Sequence, residues 1–236
     1  MTPVAILSPH LDDAVLSAWT VLRRPDEVRV VNVCAGIPPA GRPPRWDRLT
    51  GAHDAAERMR ERHAEDRAAL AHAGREATQL DFVDAHYRDG PLDPERLLAA
   101  LREAAGDAGE LWAPAGIGDH PDHVQVRDAA LRLAGEGRPL RLYAELPYAG
   151  RYGWPAWVTG RASRSGLDVD AWFDDFLPGG TSPPGSAHRL SPLELRRKMR
   201  AVDEYRTQRA ALDAGWRMGE RRVMRYEASF TPGTAG

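Results

Sequence analysis

Cysteine, lysine and long apolar runs are scarce in this chain of 236 residues. The single cysteine, Cys34, excludes an intrachain disulfide framework and is typical of a reducing compartment, so we expect a cytoplasmic protein. No apolar run approaches the roughly 20 residues that span a bilayer, and the first residues lack the basic region of a signal peptide. These absences predict a protein without a membrane segment.

Positive and negative charges nearly balance: the chain has 32 basic and 34 acidic residues, and its formal net charge is -2. A balanced chain lacks the basic field that nucleic acid or an anionic membrane surface attracts, so we expect neither as a partner. Lys198 is the only lysine, and Ala, Gly, Pro and Arg are abundant. This bias is typical of a GC-rich bacterial coding sequence and says nothing about chemistry.

Strand and helix patterns alternate along the chain, which is typical of an α/β fold. An apolar run at 4–8, a helical pattern at 10–24 and a second apolar run at 28–33 form the beginning of a βαβ unit. Further strands are predicted at 80–83, 111–113 and 142–146, further helices at 54–73, 94–105, 124–133 and 191–214, and irregular segments at 36–46 and 178–188.

The order of these elements predicts an α/β fold with a mostly parallel, Rossmann-like sheet flanked by helices. Neither an internal repeat nor a clear boundary divides the sequence, so we expect a single domain over residues 1–236. Its core is expected at about 3–210, and a flexible tail at 229–236.

Two polar clusters follow predicted strands, at the end of the strand where open α/β sheets bind ligands. The first contains His10, Asp12 and Asp13 in the motif PHLDD, and the second contains His120, Asp122 and His123 in the motif HPDH. Either cluster alone fits a polar turn before a helix. Both clusters at equivalent positions favour a ligand, and adjacent aspartates repel each other unless a cation or a donor compensates.

A divalent cation accounts for both clusters, because imidazole and carboxylate groups are the usual ligands of catalytic zinc. His10 and Asp13 can converge on one ion, and either His120 or His123 completes the set. Such an ion lowers the pKa of a bound water to about 7. Asp12 is then the candidate general base, and the remaining histidine is the candidate acid or oxyanion stabiliser.

The paired motifs resemble those of the PIG-L/LmbE-like family of zinc-dependent N-deacetylases. The segments RHAEDRAALAHAG around Arg62, DAHYR at 84–88 and KMRAVDEYRTQ at 198–208 extend the resemblance over roughly residues 3–210. Leu11 stands where the family's PHPDD motif has a second proline, a difference that removes no ligand.

The resemblance implies a hydrolase that removes the N-acetyl group from an N-acetylglucosamine-type conjugate, using one Zn²⁺ per chain, with Fe²⁺ as the alternative ion. It makes His10, Asp13 and His123 the metal ligands and Asp12 the general base. His120 would stabilise the oxyanion or protonate the leaving amine, and Asp122 would orient His120.

Four further residues are candidate substrate contacts. The resemblance implies that Arg62 binds a sugar hydroxyl, while Asp84 and Arg88 follow a predicted strand and the Tyr148 hydroxyl could reach an oxyanion. Two other functions stay open: a metallohydrolase such as a phosphoesterase, which often needs ligands for a second metal, and a sugar-binding protein without activity. The sequence leaves the oligomeric state open.

Overall fold

The computed structural model describes residues 2–146, 148–149, 154, 156–160, 185–209 and 221–232. In this part of the chain a sheet of seven strands has the order β3-β2-β1-β4-β5-β7-β6. The strands are β1 (Val4–Ser8), β2 (Val28–Asn32), β3 (Ala77–Gln79), β4 (Glu110–Pro114), β5 (Leu140–Tyr143), β6 (Ser186–Arg189) and β7 (Tyr226–Phe230). Strands β1 to β5 are parallel, and β7 and β6 are antiparallel. The predicted α/β class with a mostly parallel sheet is therefore confirmed.

Helices connect the strands and cover the sheet. They are α1 (Asp13–Ser17), α2 (Trp19–Leu22), α3 (Arg45–Leu49), α4 (Ala55–Ala71), α5 (Pro94–Ala105), α6 (Pro121–Gly135), α7 (Ala156–Thr159), α8 (Pro192–Val202) and α9 (Arg221–Met224), with a 3₁₀ turn at Ala85–Tyr87. Side-chain caps mark where the longer helices begin: the Asp54 carboxylate accepts from the Glu57 N–H, and Ser191 and Glu194 form a capping box. Among the described helices, none combines the length and apolar character needed to span a bilayer.

The core lies on both faces of the parallel strands. All five residues of β1 are buried, as expected for a central strand with helices on either side. Helices α5 and α6 pack together against β2, β4 and β5, whereas α8 packs on α1 and α4. Each fully buried Val, Leu or Ile side chain contributes about 1.5–3 kcal/mol to this packing.

The strand order places a switch point between β1 and β4. The chain adds β2 and β3 on one side of β1 and then returns to add β4 and β5 on the other side. The segments that leave β1 and β4 therefore diverge and open a crevice at the carboxyl edge of the sheet. Both predicted polar clusters lie on these two segments.

The predicted helix at 10–24 is wrong, because two short helices occupy this segment. The break falls at Ala18, which has φ -130 and ψ 31. The Glu227 carboxylate accepts hydrogen bonds from the N–H groups of Trp19 and Thr20 at 3.0 and 2.9 Å. A distant carboxylate thus satisfies donors that a continuous helix would satisfy internally.

The predicted strand at 80–83 is also displaced, since β3 is formed by Ala77–Gln79, which pairs with β2. Helix α6 begins at Pro121 rather than at 124, because proline fits the first helical position and the His120 side chain caps it. Strand β5 ends at Tyr143, before the predicted end at 146.

Differences accumulate toward the C-terminus. Helix α8 ends at Val202, short of the predicted 214, and the sequence reasoning missed α3, β6 and β7. The tail expected at 229–236 is wrong at its beginning, because Ser229 and Phe230 belong to β7 and are buried. Of the irregular segment at 178–188, residues 178–184 lie outside the described residues. That the whole chain forms a single domain stays a prediction.

Candidate active site

Three donor atoms from the two predicted clusters meet at the switch point. Asp13 opens α1, and its Oδ2 accepts a hydrogen bond from the His10 N–H at 2.9 Å. His123, on the first turn of α6, places its Nε2 3.2 Å from Asp13 Oδ2 and 3.2 Å from His10 Nδ1. The third side of this triangle, from His10 Nδ1 to Asp13 Oδ2, is 3.4 Å.

This triangle has the size that a small divalent cation requires. Nitrogen and oxygen ligands lie about 2.0–2.1 Å from a tetrahedral zinc ion, which puts them about 3.3–3.4 Å from one another. Two imidazoles and one carboxylate are also the donor types that such an ion prefers. The residues present therefore fit a divalent metal.

Two other groups of side chains around His10 could hold an ion. They are His10 with His120 and His123, and His10 with Asp84 and Asp122. In the first group the His120 ring centroid lies 4.8 and 5.2 Å from the other two rings. The second group uses His10 Nε2, 3.7 Å from Asp84 Oδ2 and 3.0 Å from Asp122 Oδ2, so its separations match a ligand triangle less evenly. We therefore favour His10, Asp13 and His123.

Each histidine of the triangle turns its other ring nitrogen toward a buried carboxylate. His10 Nε2 lies 3.0 Å from Asp122 Oδ2, and His123 Nδ1 lies 3.2 Å from Glu145 Oε1. A carboxylate in this position keeps the proton on the outer nitrogen and leaves the inner lone pair directed at the metal position.

The Asp122 carboxylate lies closer to His10 than to His120, the partner predicted from the resemblance. It bonds to His10, whereas the nearest His120 nitrogen is 4.0 Å away. Asp122 also accepts from the Arg88 guanidinium at 2.5 Å and from the Ala85 N–H at 3.0 Å. Although burial alone would raise it, these donors hold the pKa of Asp122 well below its usual range.

Arg88, a predicted substrate contact, does not line the cavity beside the donor triangle. Its guanidinium bonds to Asp122 and to the Val83 carbonyl. Arg88 is therefore connected to His10 through Asp122.

Asp12 and His120 flank the donor triangle. Asp12 is buried, and burial together with the neighbouring Asp13 charge raises its pKa to about 6. His120 Nδ1 accepts a hydrogen bond from the Asp122 N–H at 3.3 Å, so the neutral ring carries its proton on Nε2. Burial, followed by the nearby His10 and His123, lowers the pKa of His120 to about 3. His120 Nε2 is therefore placed to donate a hydrogen bond into the site.

A cavity of about 410 Å³ opens above these residues. Of the predicted substrate contacts, Arg62, Asp84 and Tyr148 line it. Arg62 pairs with Asp47, a residue that the sequence reasoning missed and that also accepts from the Tyr87 hydroxyl. Apolar side chains complete the wall that bears Arg62: Leu11, Pro44, Trp46 and Met59.

The loop between β4 and α6 closes the opposite wall. Gly118 has a φ of 89, and a Cβ at this position would overlap the Tyr148 ring, so only glycine fits. The base of the loop is held by Glu145, which accepts from the N–H groups of Gly116 and Ile117. The sequence reasoning missed Glu145. The sequence does contain one indication of its role, because a carboxylate next to an apolar strand is buried at a cost in free energy unless it has a partner.

Comparisons with known proteins find similarity to deacetylases. The family model of PIG-L, described as GlcNAc-PI de-N-acetylase, matches residues 5–134. The 2'-N-acetylparomamine deacetylase of Streptomyces fradiae is 34% identical over 164 residues, which cover 62% of this chain and 57% of that protein. The chain thus spans less than two thirds of the length of this curated relative.

Two solved structures share the whole fold. The A40926 pseudoaglycone deacetylase Dbv21 is 30% identical, with a TM-score of 0.70 over 98% of this chain and 96% of its own. A deacetylase of the teicoplanin biosynthesis pathway, solved as its bog complex, is 24% identical, with a TM-score of 0.75 and full coverage of both chains. At 24% identity the likeness concerns the fold alone.

Proposed function

This chain belongs to the PIG-L family, and we propose that it is a metal-dependent N-deacetylase. Its reaction is hydrolysis of the acetamide of an N-acetylglucosamine-type conjugate, which releases acetate and a free amine. One observation carries the proposal: the triangle of His10 Nδ1, Asp13 Oδ2 and His123 Nε2, with Asp12 and His120 beside it in one cavity.

The proposed ligands are His10, Asp13 and His123, and Zn²⁺ is the proposed ion. Two imidazoles and a carboxylate also suit Fe²⁺, so metal analysis has to distinguish the two ions. A divalent cation held there supplies Lewis-acid activation of water and of the amide carbonyl.

The remaining steps are assigned to side chains of the cavity. Asp12 takes a proton from the attacking water as the water oxygen bonds to the acetyl carbon. His120 donates its Nε2–H to the carbonyl oxygen as that oxygen becomes negative. Asp12 then returns the proton to the amide nitrogen, the C–N bond breaks, and acetate and amine leave.

The cavity walls support a small amino-sugar conjugate as the substrate. Arg62 and Asp84 offer donors and acceptors for sugar hydroxyls, while Trp46 and Met59 offer apolar surface for a ring face or for the group attached to the sugar. The relatives named above act on 2'-N-acetylparomamine and on the A40926 pseudoaglycone, and both names describe deacetylation. We further propose the cytoplasm as the compartment, since Cys34 is a free thiol.

A two-metal phosphoesterase fits the site less well. A second ion would have to lie about 3.5–4 Å from the first and use ligands of its own. The second donor group, His10 with Asp84 and Asp122, shares His10 with the first, and its Asp122 is already bound by Arg88. We therefore favour the mononuclear hydrolase.

Metal analysis and acetate release together test the proposal. We expect about one Zn²⁺ or Fe²⁺ per chain by mass spectrometry, lost in His10→Ala and His123→Ala and kept in the control His53→Ala, whose side chain is exposed. The loaded enzyme should release acetate from N-acetylglucosaminides. Two ions per chain would favour the phosphoesterase, and a loaded chain that releases no acetate would favour the sugar-binding alternative. A chain that binds no metal would refute the hydrolase.

A further inference from the structure

We infer that Glu145 is a positioning residue of the metal centre: one carboxylate fixes the His123 ring and anchors the loop that carries His120. The inference rests on the ligand set proposed above, in which His123 binds the ion through Nε2. It extends that set to a residue outside the motifs, two positions after the end of β5.

The contacts of Glu145 are divided between a ligand and a loop. Its side chain is fully buried, and Oε1 lies 3.2 Å from His123 Nδ1 and accepts from the Gly116 N–H at 2.6 Å. Oε2 accepts from the Ile117 N–H at 3.3 Å. The same carboxylate thus contacts the ring of the proposed ligand and the first residues of the loop that leads to His120.

Among the described residues, Glu145 has no lysine or arginine as an ion-pair partner. In the described part of the chain, His123 is the only basic side chain that forms an ion pair with it. An isolated buried carboxylate is unfavourable, so Glu145 needs either the His123 N–H or a positive charge beyond the His123 ring. A cation on the far side of the His123 ring would offset that cost through the ring.

The position of Glu145 is itself fixed. The N–H of the following residue, Leu146, donates to Ser17 Oγ at 3.0 Å, which ties this segment to α1, the helix that Asp13 opens. His123 Nε2 faces Asp13 Oδ2 and His10 Nδ1, and when Nδ1 donates to Glu145 the Nε2 lone pair is available to an ion held between these atoms. Without the acceptor, the ring is free to adopt the other tautomer or to rotate.

The chain offers a matched control in Glu227. This carboxylate is also buried and also accepts from two consecutive N–H groups, those of Trp19 and Thr20. Its charged partner is Lys198 at 2.7 Å, and it does not line the cavity of the metal site. Neutralising either glutamate removes a buried charge, but only Glu145 contacts a proposed ligand.

The test compares Glu145→Gln with Glu227→Gln. The Zn²⁺ dissociation constant is measured by competition with a chromophoric chelator, and urea unfolding of the metal-free chain is measured in parallel. We expect the dissociation constant to rise about 10- to 100-fold in Glu145→Gln and to stay within about threefold of wild type in Glu227→Gln. Both variants should lose stability. Wild-type zinc affinity in Glu145→Gln, or an equal loss in both variants, would overturn the inference.

A second readout needs no variant, in case Glu145→Gln does not fold. Imidazole ¹⁵N NMR of the zinc-loaded wild type should show His123 protonated at Nδ1 and bound through Nε2, and zinc on Nδ1 would contradict the role of Glu145. His123→Ala distinguishes a failure of the proposed ligand set from a failure of the positioning role of Glu145. If His123→Ala binds zinc like wild type, the ligand set itself is wrong. If only Glu145→Gln does so, the ligand set stands and the positioning role fails.

Discussion

Replacing Lys198 by methionine should destabilise the fold by about 3 kcal/mol. Lys198 is the only lysine of the chain, lies fully buried on α8, and holds Glu227 at 2.7 Å. Burial lowers the pKa of Lys198, and Glu227 opposes this shift. Methionine keeps the apolar stem but leaves the Glu227 carboxylate without its cation.

The magnitude follows from what remains around Glu227. Removing one partner of a buried ion pair costs about 3–5 kcal/mol, because the other charge is left uncompensated. Glu227 keeps three donors, the N–H groups of Trp19 and Thr20 and the Thr20 hydroxyl. These donors stabilise the anion in part, so we expect the lower end of the range.

Urea unfolding followed by circular dichroism, with metal removed, measures the effect. Arg197→Met, an exposed position on the same helix, is the control and should change stability by at most about 0.5 kcal/mol. In the double variant Lys198→Met, Glu227→Gln, the loss should be smaller than the sum of the single losses by about 1–3 kcal/mol. Additive losses, or a cost below about 1 kcal/mol for Lys198→Met, would show that the Lys198–Glu227 pair does not stabilise the fold in this way.

Three further predictions concern single carboxylates and Arg88. Asp12→Asn should lower kcat about 10³-fold while the chain keeps its metal, and metal loss would contradict the role of Asp12 as a base. Arg88→Gln should weaken Zn²⁺ binding about tenfold through Asp122 and leave KM unchanged, whereas a rise in KM alone would return Arg88 to the substrate contacts. Burial raises the pKa of Asp66 to about 7. Because the folded chain then binds this proton more tightly than the unfolded chain, the free energy of unfolding should fall by on the order of 2 kcal/mol between pH 5 and pH 8. Asp66→Asn should flatten that slope in urea titrations, and an unchanged slope would exclude Asp66 as its source.

Local patterns predicted the parts of the fold that local chemistry determines. The apolar run at 4–8 became a buried central strand, and helix α5 begins and ends at the predicted residues, Pro94 and Ala105. The strand predicted at 80–83 lies instead at 77–79. Phe82 is buried after the chain has left the sheet, so its apolar character does not indicate pairing with a neighbouring strand. Strand β7 was missed because Glu227 and Ser229 make it polar, and only distant partners allow their burial.

In the candidate site, too, the residues of short motifs could be predicted from the sequence, whereas contacts between distant segments could not. Short motifs carry His10, Asp13 and His123, since spacing along one turn is visible in the sequence. The contacts of Glu145 with His123, and of Asp122 with His10, join residues that only the strand order brings together. The contact of Arg88 with Asp122 is of the same kind, because nothing in the sequence around Arg88 indicates that Asp122 lies within reach.

The placement of the donors on either side of the switch point has a consequence for synthesis. Residues 10–13 leave the ribosome before residues 120–145, and at about 5–20 residues per second the interval is on the order of ten seconds. During that interval β1 lacks its neighbour β4, and His10 and Asp13 lack His123. With this ligand set, metal acquisition is a late event in the life of the nascent chain, after the second half of the sheet has paired.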